Sequence, residues 1–221
     1  MTTGSAVFPQ ATGLFDTTVV VDELPNAAEL NEALLEIINK RRKQSRGVTL
    51  SNVGGWQSDR QMLQWGGEPA ARLLGRIIQA ADRFTVDVAS TGAARFRWVG
   101  EMWANVSPQH SSNQYHTHPG AFWSAVYYVD DGYGGATGPD LGGELILQDP
   151  RMPMIMMNMP NLRFRKPGRP ADEPELAMRP AAGRLVMFPA WLNHCVMQYR
   201  GTRERVSIAV NVSAVPLRVP A

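Results

Sequence analysis

The sequence predicts an α+β chain, mainly β, with helices first and a jelly-roll barrel after them. Two observations carry this. Apolar residues recur at helical spacing in two stretches before residue 92. From about residue 94 the pattern changes to short strand-like runs, many of them separated by Gly and Pro. There is no repeat at a fixed period and no interdomain linker, so one domain is expected over 1–221, with its helical part at about 1–92 and its barrel at about 93–215.

Taken in order, residues 14–22, LFDTTVVVD, read as a strand because they are rich in β-branched side chains. Residues 27–43 read as a helix, with Leu30, Leu34, Ile37, Ile38 and Arg41 at helical spacing and Asn26 as its N-cap. The basic run KRRK at 40–43 ends that helix, where cations offset the helix dipole. SNVGGWQSDRQ (51–61) reads as a loop. A second helix is expected from about Glu68 to Arg83, with Leu73, Leu74, Ile77 and Ile78 as its apolar stripe and Arg72, Arg76 and Asp82 in solvent. Strands are expected near 95–106, 113–118, 121–130, 143–148, 175–179, 184–188, 193–199 and 203–213. A Gly-rich insertion at 131–142 and a Pro- and Met-rich one at 149–174 interrupt them and are expected to wall the pocket.

Composition excludes several classes of function. Hydrophobic residues make up 44% and charged residues 19%, as in ordinary globular proteins. A net charge of +2, from 22 basic and 20 acidic residues, is no nucleic-acid footprint. One cysteine, Cys195, excludes an internal disulfide and suits a reducing compartment. The opening MTTGSAVFPQATGLFDTT shows no secretory signal, and no run of eighteen apolar residues occurs, so a cytoplasmic location with no membrane partner is expected.

The four histidines are the informative residues. His116 and His118 stand two apart in NQYHTHPG, and residues i and i+2 of a strand share a face. His194 lies far downstream in GRLVMFPAWLNHCVMQY, placed to arrive from another strand. Three neutral imidazoles suit iron, copper, nickel or zinc. A His-x-His pair by itself fits a surface site equally well, and His110, in SPQHSSN, reads as a surface or pocket residue. The last strand, RERVSIAVNVSA, alternates: Val206, Ile208, Val210 and Val212 face one way, and Arg205, Ser207, Ala209 and Asn211 the other. An enclosed Arg205–Ser207 pair is a receptor for a dicarboxylate such as 2-oxoglutarate, because Arg grips a carboxylate through two hydrogen bonds. The plainer alternative pairs Arg205 with Glu204 or Glu144 on a wet face.

Five segments run in order through most of the chain: SNVGGWQS (51–58), YHTHPGAFWSAVYYV (115–129), GGELILQDPR (142–151), GRLVMFPAWLNH (183–194) and RVSIAVNVS (205–213). Together they resemble the 2-oxoglutarate/Fe(II) oxygenase superfamily, and within it a small bacterial 2OG-Fe(II) oxygenase family. The resemblance implies a double-stranded β-helix fold, with His116 and His194 as iron ligands and with Arg205 and Ser207 on the distal carboxylate of 2-oxoglutarate. It further implies Fe(II), 2-oxoglutarate and O2 as cofactor and co-substrates, and hydroxylation of a small molecule or peptide. The superfamily's usual His-x-Asp/Glu pair is here His116-x-His118. A three-His site follows without rearranging the strand; otherwise Glu144 or Asp149 supplies the carboxylate and His118 sits behind it. Because His118 is not small, halogenation is disfavoured.

Asn105 and Tyr127 are read as further cofactor-binding residues, with Trp103 and Tyr115 as pocket lining. Cys195 adjoins His194 and is expected on the opposite face, buried and inert. Most of the six tryptophans, Trp56, Trp123 and Trp191 among them, are assigned to the core. The Met-rich stretch 151–160 reads as an adaptable lid or an oligomer contact, and a homodimer is left open. Two rivals stand beside this reading. One is a cupin-like three-His iron dioxygenase that needs no keto acid. The other is a non-catalytic metal-binding barrel.

Overall fold

The computed structural model describes residues 16–90, 92, 95–164, 171 and 173–217. Strand β1 (Val20–Glu23) leads into helix α1 (Ala27–Gln44). Two short strands, β2 (Asn52–Val53) and β3 (Trp56–Gln57), precede the one-turn α2 (Met62–Trp65) and then α3 (Gly67–Arg83). Next come β4 (Phe96–Ser107), β5 (Ser112–His116), β6 (Trp123–Asp130), a 3-10 turn at Pro139–Leu141 and β7 (Leu145–Gln148). The chain continues through α4 (Met152–Asn158), β8 (Glu175–Met178), β9 (Arg184–Pro189), β10 (His194–Val196) and β11 (Arg205–Pro216).

The strands form two antiparallel sheets, ordered β1-β9-β6-β11-β4-β3 and β2-β5-β10-β7-β8. Within the first, β4 and β11 pair along their whole length, from Arg205 opposite Ser107 to Pro216 opposite Phe96. The alternation of β11 explains its place. Val206, Ile208, Val210 and Val212 are buried in one cluster with Leu34 and Ile38 of α1 and with Leu73 and Ile77 of α3. The helices therefore cover one face of the six-stranded sheet. On its other face, Tyr128, Val186 and Phe188 pack with Leu145 and Leu147 of the second sheet. The arrangement is helices, sheet, sheet, so the six-stranded sheet is covered on both sides.

Most elements fall where the sequence puts them; the differences have local causes. The first strand is shorter than 14–22: it starts at Val20, where pairing with β9 begins, and residues 14–15 lie outside the described residues. Asn26 precedes α1 with φ 55° and makes no side-chain cap bond, so it serves as a left-handed turn residue rather than a cap. Segment 51–61 is more than a loop. β2 edges one sheet, β3 edges the other, and Gln61 bridges to Met102. The strand expected at 193–199 shrinks to β10. Arg76 pairs with Asp22 at 2.7 Å, and Asp82 accepts from Trp98 Nε1 at 2.6 Å, so neither is merely solvated. Trp123 is buried and Trp56 half-buried, but Trp191 is 57% exposed. Met154, Met157 and Met159 are exposed, and residues 165–170 and 172 of the second insertion lie outside the described residues. Among the described residues, no helix is long and apolar enough to cross a membrane.

Candidate metal centre and its cavity

β5 ends on His116, and the residue directly opposite in the neighbouring strand is His194, the first of β10. Opposed residues of an antiparallel pair share a face, and the two rings lie side by side with centroids 4.3 Å apart. His118 lies just past the strand end, not within it as 113–118 implied. Its N–H donates to the Ala190 carbonyl at 2.9 Å, and its own carbonyl accepts from Ala121 at 3.3 Å. These bonds fix the backbone so that the ring sits 4.9 Å from His116 and 5.0 Å from His194. One ligand atom from each of the three histidines lies within 4.8 Å of the others. Among the described residues no carboxylate joins this group: Asp149 is held by Arg151 at 2.6 Å, and Glu144 stands outside it.

The hydrogen bonds orient the donors. His116 Nδ1 is 2.7 Å from the Gln114 carbonyl, and His194 Nδ1 is 2.8 Å from the Leu192 carbonyl. A carbonyl only accepts, so Nδ1 carries the proton in both rings and Nε2 keeps its lone pair. His118 differs, with Nδ1 3.4 Å from Asn211 Nδ2, while Asn211 Oδ1 accepts from Ser124 at 3.2 Å. Turning the Asn211 amide over reverses both bonds and lets His118 Nδ1 donate like the other two. Burial, then the charges of His194, His116 and Arg60, push the His118 pKa down to about 3. Burial, then His116, pushes His194 down to about 4, and burial lowers His116 as well. All three are neutral at pH 7, so a metal need not displace protons to bind them.

The facing wall comes from the six-stranded sheet, whose register sets it in rows. Gln57, Asn105, Ser207 and Tyr128 are consecutive cross-strand partners on β3, β4, β11 and β6. One row on, Arg205 faces Ser107 and donates to its Oγ from Nη2 at 3.2 Å. Arg205 is 2% exposed, and its enclosed Nε finds no hydrogen-bond partner among the described residues. Neither expected acid neutralises it: Glu204 pairs with Arg42 at 2.8 Å, and Glu144 makes no ion pair with it. Burial lowers the proton affinity of this guanidinium, and the surrounding Tyr128, Tyr133 and Tyr199 together with the more distant Glu144 carboxylate oppose that. The three histidines, Arg205, Ser207 and Asn105 line one cavity of about 190 Å³.

Other sequence expectations fare unevenly. Trp103 lines the cavity, but Tyr127 does not. Its hydroxyl donates to Asn31 Oδ1 of α1 at 2.6 Å, on the helical side of the sheet, and Tyr128 takes the cavity position. Tyr115 is also turned away, exposed and donating to Glu175 at 2.6 Å. His110 is exposed at φ 72° and outside the histidine group. Cys195 is buried, as expected, and outside the cavity lining. Neither insertion contributes described residues to the lining; the 50–60 segment does, through Leu50, Ser51, Gln57 and Arg60. Asn211, Ser107 and Tyr128 gained no role from the sequence, although alternation had already put Asn211 on the face of Arg205.

The family model described as "Putative 2OG-Fe(II) oxygenase" matches residues 101–211, half of the chain, including His116, His118, His194 and Arg205. Solved structures match in fold. A Pseudomonas putida prolyl-4-hydroxylase aligns with 18% identity over 89% of this chain and 92% of its own, at TM-score 0.56. A Trichoplax adhaerens prolyl hydroxylase, in complex with a hypoxia inducible factor peptide fragment, aligns with 12% identity over 88% and 83%, at TM-score 0.58. HygX from Streptomyces hygroscopicus aligns with 12% identity over 89% and 83%, at TM-score 0.55. Comparison with curated protein sequences finds no match. The family match spans the two strands and the turn that bring the histidines together and runs on through Arg205 in β11, and on it the chain belongs to the 2OG-Fe(II) oxygenase family.

Proposed function

We propose that the chain is a cytoplasmic Fe(II)- and 2-oxoglutarate-dependent dioxygenase that hydroxylates a small molecule or peptide, built as one double-stranded β-helix domain over 1–221. The observation that carries this reading is the buried Arg205. A guanidinium with an unpartnered N–H is costly in a protein interior unless an anion completes it, and this one shares a cavity with three neutral imidazoles. That donor set fits a divalent iron, and a guanidinium lining the same cavity fits a carboxylate. HygX, a neighbour in fold, is described with nickel and 2-oxoglutarate bound, which agrees.

His116, His118 and His194 would hold the metal, each through the ring nitrogen that it keeps free of a proton. Bound together, iron and 2-oxoglutarate supply activation of O2, coupled to decarboxylation of the keto acid and hydroxylation of a C–H bond. The chain's residues do the rest. Arg205, which lines the cavity, receives the distal carboxylate on its guanidinium, held in place by the Nη2 bond to Ser107. Ser207 offers a hydroxyl one row away. Asn105 lines the same cavity in the row of Ser207. Phe188, edge-on to His194 at 4.7 Å, keeps water from that ligand's flank.

The test is spectroscopic. Metal-free protein is given Fe(II) and 2-oxoglutarate anaerobically, and the weak visible charge-transfer band of the chelate is sought. The expected result is a band that needs both components and is lost in Arg205→Ala and His194→Ala. Iron binding without a band favours a three-His dioxygenase independent of keto acids, for which the missing carboxylate ligand is the specific argument. No iron binding at all leaves a non-catalytic barrel.

A further inference from the structure

One charged residue of the cavity has no part in that scheme. Arg60 lies in the segment that joins the edges of the two sheets, and its backbone is well fixed. Met102 N–H donates to the Arg60 carbonyl at 3.4 Å, and Ser58 exchanges two bonds with Ala104, at 2.9 and 3.0 Å. The guanidinium carbon is held 5.4 Å from the centre of the Trp103 ring, a cation–π contact. Trp103 in turn lies 5.9 Å from the His118 ring, so Arg60 stands at the metal side of the cavity. Stacking occupies the face of a guanidinium and leaves its N–H edge free to bind an anion. Its one ion pair among the described residues is with Glu101 at 3.4 Å, both partners about half exposed, and such open pairs are weak.

Among the described residues no Asp or Glu lines the cavity, and its charged groups there are Arg60 and Arg205. The inference rests on the proposed function in one respect: there the co-substrate neutralises Arg205, so Arg60 is the cation left over. We infer that the substrate is anionic, carrying a carboxylate or phosphate that Arg60 receives, and that Arg60 is a specificity-determining residue. A neutral substrate would leave this cation with only its weak surface partner, and a cationic one would be repelled by it.

The experiment uses protein loaded with Fe(II) and saturating 2-oxoglutarate under anaerobic conditions, titrated with benzoate, phenyl phosphate and benzamide. Binding is read calorimetrically and by perturbation of the charge-transfer band. One acid, or both, is expected to bind about tenfold more tightly than benzamide, the increment of one charge-assisted hydrogen bond. Whichever acid is preferred tells carboxylate from phosphate. Arg60→Gln should abolish the preference with the band intact, and Glu101→Gln should keep or strengthen it. If Arg60 only serves the surface pair with Glu101, the two variants will behave alike, and the inference is overturned. It is also overturned if benzamide binds as well as the acids, or if benzoate merely displaces 2-oxoglutarate and bleaches the band. A band that never forms in the wild type overturns the proposed function and this inference together, an outcome distinct from all the others.

Discussion

Arg205 sets a conflict between stability and binding that a single substitution resolves. Met has a similar unbranched stem without the charge, so Arg205→Met removes a buried, incompletely bonded guanidinium while keeping most of its packing. The metal-free variant should be more stable than the wild type by about 1–3 kcal/mol in urea unfolding, yet show no 2-oxoglutarate-dependent band. A fall in stability would mean that the guanidinium is satisfied within the protein. The histidines give a second prediction. Their pKa values are depressed from 6.5 to about 3 for His118 and about 4 for His194. Between those values and 6.5 the unfolded chain binds more protons than the folded one, so stability rises with pH. Metal-free protein should therefore weaken as pH falls from about 6.5 toward 4, and His118→Gln should flatten that slope in unfolding curves at successive pH values. Arg205 was legible in the sequence because β11 alternates, and the histidines because they are few and cluster, although His118 reaches the group from just past the strand and not by strand alternation. Tyr128 was not legible. β6 reads WSAVYYVD and is buried on both faces, so its sequence carries no alternation to say which tyrosine faces the cavity.

The elements differ in how local their causes are. α3 and β11 were readable because each sets its apolar side chains on one side in a period the sequence displays, every 3.6 residues or every second residue. The two-residue strands β2 and β3 have too few residues to show a period, and only their partners make them strands. That is why the wall of the cavity was assigned to the Gly- and Met-rich insertions instead of to 50–60. The contact between α1 and β6 shows what Tyr127 does in place of cofactor binding. Its hydroxyl and Asn31 Oδ1 bond at 2.6 Å in a buried setting, so Tyr127→Phe strands the Asn31 acceptor. The expected cost is about 1–3 kcal/mol of stability, with the charge-transfer band and its 2-oxoglutarate dependence unchanged. A weakened band with stability preserved would return Tyr127 to the site.

At the scale of the whole molecule, the site divides between the sheets. His116 and His194 belong to the five-stranded sheet, with His118 just beyond it, whereas Arg205, Ser207 and Asn105 belong to the six-stranded sheet. The sheets share no strand, and Tyr128, Val186 and Phe188 meet Leu145 and Leu147 between them. On the proposed function, a metal alone ties together histidines of one sheet, and 2-oxoglutarate alone reaches only Arg205 and its row. A chelated keto acid spans from one sheet to the other. The two ligands should therefore stabilise the fold cooperatively. Each ligand that binds only the folded state adds RT ln(1 + [L]/Kd), about 2.7 kcal/mol at a hundredfold excess over Kd. Linkage requires any gain in one affinity to appear equally in the other. Nickel(II), which does not turn the reaction over, allows the measurement in air. Melting temperatures are compared for the protein alone, with nickel, with 2-oxoglutarate and with both. The shift with both should exceed the sum of the separate shifts, and Arg205→Met should reduce it to the nickel shift alone. Additive shifts in the wild type would place the two ligands in independent sites and remove the cross-sheet chelate from the mechanism.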